Sequence, residues 1–330
     1  MTPLLEVQDL TVQFKTRDGI VKAINGINLA LEAGEVLAVL GESGSGKSVT
    51  LRAIARLLPH QRSVETGEIR FEGEQLNTLS QKELSHKRAR IGVIFQEPLT
   101  ALDAVFPIGT QIAEAVVRHE GVSWSQGMAR AREVLDMVRI PSAERRLKNY
   151  PHELSGGMRQ RAMIASALAC RPKLLLADEP TTALDVTVQI QILLLLRELQ
   201  RELGMGVIFV THDVGVAAEI ADRVAVMYAG RIVEQGSAID VLETPLHPYT
   251  YSLLHATVHG AKKGELLQVI EGSPPDMRAL GDGCSFAPRC PRAKPQCEQS
   301  VPALKEVSEE GREGSKVACF MPMDTVVGVS

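Results

Sequence analysis

The apolar run Val36 to Leu40 ends in Gly41-Glu-Ser-Gly-Ser-Gly-Lys-Ser48, and a helix-like segment, Val49 to Leu58, follows at once. The frame is a glycine, four residues, a glycine, a lysine and a hydroxyl residue, set between a strand and a helix. Residues without a β-carbon let successive backbone N–H groups turn toward one anion, and the helix start adds partial positive charge behind them. The stretch therefore reads as a phosphate-binding loop. Gly41, Ser43, Gly44, Ser45 and Gly46 line the cradle, with Lys47, Ser48 and Val49 opening the helix. Lys47 is placed to reach the β- and γ-phosphates of a nucleoside triphosphate, and Ser48 to put its hydroxyl on Mg²⁺. The bland alternative is a glycine-rich turn that happens to carry a lysine; frame and context both speak against it.

The chain has 330 residues, room for about two domains. Hydrophobic residues make up 45% and charged residues 23%, and the net charge is −4. No apolar run reaches the ~18 residues that a membrane span requires. The start, Met-Thr-Pro-Leu-Leu-Glu, lacks a basic region before an apolar core, so it does not read as an export signal, and a cytoplasmic protein is expected. Near-neutral charge gives no electrostatic case for nucleic acid, and the basic run Lys82 to Arg90 reads as a solvated face. In a reducing compartment, the five cysteines argue against structural disulfides.

Alternation of Leu10, Val12 and Phe14, a turn at residues 17–19 and renewed alternation over Val21 to Leu31 predict an antiparallel hairpin. Phe14 sits near a strand end, either in the core or stacked on a base. Gly67 to Phe71 reads as a short strand, and Ile91 to Phe95 as a buried one ending at Gln96. From Gly109 to Ala169 the spacing is helical with no strand, broken by Pro141 and Pro151, and Ser155 is available to cap a helix running to Ala169. Leu174 to Ala177 and Val207 to Val210 are continuous apolar runs, as in strands covered on both faces. A long helix is expected over Val186 to Leu203, a closing hairpin over Val224 to Val233 and a short helix over Tyr249 to Ala256. Beyond that the periodicity fades, and a second domain is expected to start nearby. The fold class is α/β, mixed strands and helices around a parallel core.

Asp178 and Glu179 end a buried strand, where a doubly wound sheet usually places its ligand. Asp178 can hold Mg²⁺ opposite the Ser48 hydroxyl, and Glu179 can polarise the water that attacks the γ-phosphate. The bland alternative is a pair of exposed turn acids before Pro180, and the phosphate loop speaks further against it. Ser155, Gly156 and Gly157 form a second helix N-terminus able to bind an anion through free N–H groups. One nucleotide does not need both sites. Head-to-tail pairing with a copy or a relative satisfies each, though the string alone could be an ordinary cap.

The phosphate loop, Gln96, Leu154-Ser-Gly-Gly-Met158, Leu174 to Glu179, Ala183-Leu-Asp185 and His212 occur in an order that resembles the nucleotide-binding subunits of ATP-binding-cassette transporters, over about residues 4–245. The resemblance implies a cassette at 1–245 with a mixed sheet around the phosphate-loop core, an antiparallel β subdomain and an inserted helical subdomain at about 97–165. It implies ATP as substrate, with Phe14 stacked on adenine and Mg²⁺ held by Ser48, Gln96 and Asp178. Glu179, Gln96 and His212 would be catalytic, His212 at the γ-phosphate. Ser155, Gly156 and Gly157 would reach the nucleotide of the partner chain, and Asp185 would line the seam. Implied partners are a second cassette subunit, homologous or identical, two membrane permease subunits met near Glu97 to Asp103, and an extracytoplasmic solute-binding protein, with no nucleic acid. The implied location is peripheral, on the cytoplasmic face of the inner (plasma) membrane.

His247-Pro-Tyr-Thr250, Gly272 to Asp276 and Cys284 to Pro291 resemble the C-terminal extension of ATPases from di- and oligopeptide importers, here 246–330. That implies ATP-driven uptake of peptides, with nickel complexes, glutathione or other peptide-like solutes as alternatives. A soluble, non-transport cassette ATPase is a different reading, but such proteins normally carry two cassettes per chain; a metal-sensing protein with a residual ATP site is disfavoured because no catalytic position is substituted. Cys284, Cys290, Cys297 and Cys319 have spacings of five, six and twenty-one residues, and four thiolates can close zinc or an iron–sulfur cluster. The spacing matches no common pattern; the resemblance implies a [4Fe-4S] cluster, with Zn²⁺ the alternative. Cys170 reads as a small buried apolar residue. The chain departs from the family at Asp103-Ala104, where Asn-Pro is frequent, and at Ala318, where an arginine often precedes the last cysteine.

Overall fold

The computed structural model describes residues 2–59, 61–182, 184–256, 270–307 and 312–323. Ala183 and part of the extension thus lie outside the described residues. Leu174–Asp178 and Gly206–Thr211 are buried at every position, which requires cover on both faces. They lie inside an eight-stranded sheet. Its parallel part runs Ile91–Ile94, Leu174–Asp178, Gly206–Thr211, Val36–Leu40, Arg223–Tyr228. Arg231–Ser237 then pairs antiparallel with Arg223–Tyr228. The register Leu40↔Thr211 and Asp178↔Val210 aligns the carboxyl ends of the strands in one row. Gly41, Gln96, Glu179 and His212 each follow a strand end by one or two residues, so one edge of the sheet receives all four.

Alternation along the strands divides the core. Leu175, Ala177 and Phe209 pack on the side of Ile108–Glu120, Trp124–Met137, Gly156–Leu168 and Val186–Leu203. Leu174, Leu176, Ile208 and Val210 face the helix Lys47–Ile54 and a four-stranded antiparallel sheet. That second sheet is ordered Gly19–Leu31, Leu5–Thr16, Ser63–Phe71, Glu74–Gln75, so the predicted hairpin is present and its third strand begins at Ser63 instead of Gly67. The first helix ends at Ile54, short of the expected Leu58, with Arg56 turned into the left-handed region at φ 57°. No strand interrupts 109–169, as the helical spacing predicts.

The described residues past 246 do not build a core of their own. Tyr249, Leu253 and Phe286 belong to the same apolar cluster as Ala38, Leu40, Val224 and Val226. The rings of Tyr249 and Phe286 meet Tyr228 at 4.5 and 5.3 Å between centroids. The strand Lys316–Val317 pairs with Arg231–Ser237, and Lys305–Glu306 adds beyond it, so the extension lengthens the cassette's own sheet. A segment rich in proline, glycine and charge has too few apolar residues to enclose a separate interior.

Candidate active site

Two glycines shape the phosphate loop. Gly41 has φ +155°, and a β-carbon there would lie 2.2 Å from the Met227 carbonyl oxygen; at Gly46, φ +107°, it would lie 2.6 Å from that of Ala23. Ser43 and Gly44 form the exposed tip. Lys47 is only 5% exposed, and its Nζ donates to the carbonyls of Gly41 (2.7 Å) and Glu42 (3.0 Å). Burial pulls its pKa down, against the pull of the Glu179, Asp178 and Glu42 carboxylates. Among the described residues the buried Ser45 hydroxyl has no hydrogen-bond partner. Val49, beyond the loop, packs on the core.

Ser48 Oγ donates to Asp178 Oδ1 at 2.7 Å, joining the loop to the end of the neighbouring strand. Asp178 is 5% exposed, and burial raises its pKa, opposed by the Ser48 hydrogen bond. A buried cation, a buried carboxylate and an orphaned hydroxyl at one glycine cradle are each costly alone. Phosphate oxygens on Lys47 and Ser45, and a divalent cation between Ser48 and Asp178, would relieve all three. These residues therefore fit a nucleotide with Mg²⁺.

Glu179 follows in the left-handed region at φ 45°, its N–H donating to the Val210 carbonyl at 3.0 Å. A non-glycine residue held this way stores strain and marks a constrained site. Its Oε2 accepts from Thr182 Oγ1 (2.9 Å) and Gln96 Nε2 (3.4 Å) and meets His212 Nδ1 at 3.1 Å. The fold thus brings the three predicted residues Gln96, Glu179 and His212 together. Thr182 was not singled out from the sequence; a hydroxyl three residues past the acid, in the turn that follows, was the available signal.

The remaining candidates lie elsewhere. Phe14 is half-buried between Val21 and Ser63 on the neighbouring strands and packs on the core below them. Ser155 caps Gly156–Leu168, accepting from the Met158 N–H at 3.3 Å, and Asp185 caps Val186–Leu203, accepting from Val188 at 2.9 Å. Ser155, Gly156 and Asp185 are exposed, and a β-carbon at Gly156 would meet nothing within 4 Å, while one at Gly157 would touch Val188.

The expected four-cysteine metal site is not assembled. Cys284, Cys290, Cys297 and Cys319 do line one small cavity with His247 and Phe286. Yet among the described residues no group of three or more His, Cys, Asp or Glu is placed to hold a metal ion, zinc included. Burial raises the pKa of Cys284, Cys290 and Cys319, the last to about 11. Cys170, expected as a small buried apolar residue, is half-buried beside the Ala115 carbonyl, its pKa also raised to about 11 by burial.

One contact had no local signal. Arg289 grips the Glu42 carboxylate through two hydrogen bonds, 2.7 and 3.1 Å, across 247 residues of chain, and the Tyr249 hydroxyl accepts the Glu42 N–H at 2.9 Å.

The raised pKa of Asp178 has a consequence for the nucleotide-free protein. Stability tied to such a group is present below its unfolded pKa and lost as pH rises through the folded one, so the ionised carboxylate costs stability at neutral pH. Asp178→Asn is expected to raise the unfolding temperature of the bare protein at pH 7, an advantage that disappears toward pH ~3 where wild-type Asp178 is protonated. Thermal unfolding across pH checks this; an Asn variant less stable than wild type at pH 7 contradicts it.

The model of the ABC transporter family matches residues 24–182, and that of the oligopeptide/dipeptide transporter C-terminal region matches 233–297. The oligopeptide transport ATP-binding protein OppD of Salmonella typhimurium is 47% identical over 98% of this chain and 95% of its own length. OppD of Bacillus subtilis is 50% identical over 92% of this chain and 86% of its own length. Among solved structures, the ATP-binding cassette MJ0796, dimeric and bound to ADP and Pi, is 31% identical with a TM-score of 0.63, covering 71% of this chain and 98% of that one. The chain belongs to the ATP-binding-cassette transporter family, in the branch whose members carry the oligopeptide/dipeptide transporter C-terminal region.

Proposed function

We propose that this chain hydrolyses ATP and so energises import of di- or oligopeptides by a membrane complex to which it is peripherally bound, on the cytoplasmic face. The observation that carries the ATPase reading is the single sheet edge at which Lys47, the Ser48–Asp178 pair and the Gln96–Glu179–His212 cluster meet. Likeness to OppD proteins over nearly the whole chain supports the peptide reading. Nickel complexes, glutathione and other peptide-like solutes are the alternative cargoes, since the fold does not identify the cargo.

Lys47 and the loop N–H groups bind the phosphates. Ser48 and Asp178, with Gln96, would hold Mg²⁺, which supplies charge neutralisation at the transferred phosphoryl group. Glu179 polarises the attacking water, held in place by Thr182, Gln96 and His212. The imidazole donates to Glu179 when Nδ1 carries the proton. Phe14 would stack on the base. The helix start at Ser155, Gly156 and Gly157, with Asp185, would suit the nucleotide of a second cassette subunit, identical or related. Two permease subunits would dock near Glu97 to Asp103, beside the exposed Val105 and Phe106, and a solute-binding protein would deliver cargo outside. Residues 1–245 form the cassette and 246–330 the extension.

A [4Fe-4S] cluster on Cys284, Cys290, Cys297 and Cys319 rests on resemblance and on their shared cavity, with Zn²⁺ as the alternative. No catalytic step runs through it.

Glu179→Gln is expected to bind MgATP as wild type does while turnover falls on the order of 10²–10⁴-fold. A variant that still hydrolyses ATP would remove Glu179 from the base role. Anaerobically purified protein is expected to carry iron and sulfide that are lost in Cys297→Ser; zinc in their place selects the alternative, and neither metal discards the site.

A further inference from the structure

Glu42 puts a carboxylate into a loop that must hold a polyanion. Its charge is met by Arg289, whose side chain is 5% exposed against 25% for Glu42. The guanidinium is fixed on every side: Nη1 and Nη2 on Glu42, Nε on the Glu271 carbonyl at 2.9 Å, Nη2 also on Ile270 and Nη1 on the Tyr228 hydroxyl at 3.3 Å. A bidentate pair of this kind sets orientation as well as charge. The Glu42 backbone is held too. Its N–H goes to Tyr249 Oη, and its carbonyl accepts from Lys47 Nζ at 3.0 Å. Residues of the C-terminal extension therefore hold the loop residue that Lys47 leans on.

We propose that Arg289 and Tyr249 are positioning residues of the ATP site: Arg289 cancels the Glu42 charge beside the phosphate cradle, and Tyr249 fixes the peptide that seats Lys47. The extension is then part of the ATP-binding machinery, and a change in the segment around Cys290, the next residue after Arg289, reaches the phosphate loop through one ion pair. Without Arg289 the Glu42 carboxylate stands unpaired near the phosphates and opposes their binding. Neutralising Glu42 removes that opposition even when Arg289 is absent. A purely structural role for Arg289, such as docking the extension, makes the opposite prediction, because Glu42→Gln cannot restore a lost contact. The inference rests on nucleotide being held by the phosphate loop.

The test is equilibrium binding of a non-hydrolysable MgATP analogue to the full chain. Arg289→Ala is expected to weaken binding roughly tenfold, as an unpaired charge in a partly screened site would. Adding Glu42→Gln to Arg289→Ala is expected to recover most of that loss. Unchanged affinity in Arg289→Ala, or a double variant as weak as the single one, overturns the proposal. Should Arg289→Ala fail to fold, Glu42→Gln alone decides: it is expected to bind at least as tightly as wild type, and a tenfold loss overturns the proposal. Wild type that binds no analogue overturns the phosphate-loop reading as well, whereas wild-type binding with unaffected variants overturns the link alone.

Discussion

Two opposite charges buried at the end of a parallel sheet govern this protein. Lys47 and Asp178 are each 5% exposed, and burial pushes the lysine pKa down and the aspartate pKa up, so both ionised forms are held at a cost. Among the described residues, the Lys47 ammonium donates to backbone carbonyls of its own loop, and Asp178 accepts from a serine hydroxyl. Such a site is not stabilised by its own contacts. It is stabilised by what enters it, and phosphate with a divalent cation has the charges, signs and oxygens it lacks.

The register of the sheet makes that site possible. Because Leu40 lies opposite Thr211, and Asp178 opposite Val210, groups from far apart in sequence emerge at one edge. Glu179 is turned back by a left-handed backbone so that Gln96, Thr182 and His212 surround one carboxylate oxygen. Ser155 and Asp185 cap helix starts that stay exposed; in the proposed reading a second chain encloses the nucleotide there, and removal of the γ-phosphate loosens what it bridged.

What could be read from the residues follows their separation in sequence. Lys47 and Ser48 sit in one contiguous strand, loop and helix, and Asp178 ends a run of apolar residues, so their placement needed only local rules. His212 meets Glu179 across 33 residues; only family resemblance pointed to it. Arg289 meets Glu42 across 247 residues, and no periodicity or motif encodes such a pair. The cysteines were legible as a donor set but not as a site, because the loops that carry them decide whether thiolates converge. The extension read as a separate domain because its periodicity fades. In the fold, Tyr249 and Phe286 fill a core begun by Ala38 and Leu40.

The most direct test of the account is thermal unfolding of the full chain with and without a non-hydrolysable MgATP analogue, in wild type and Lys47→Ala. Binding to the folded state alone should raise the wild-type midpoint by on the order of 5 °C at saturating ligand, with Mg²⁺ required and the shift absent in Lys47→Ala. An equal shift in Lys47→Ala would mean that the buried charges at the sheet edge are not what holds the nucleotide.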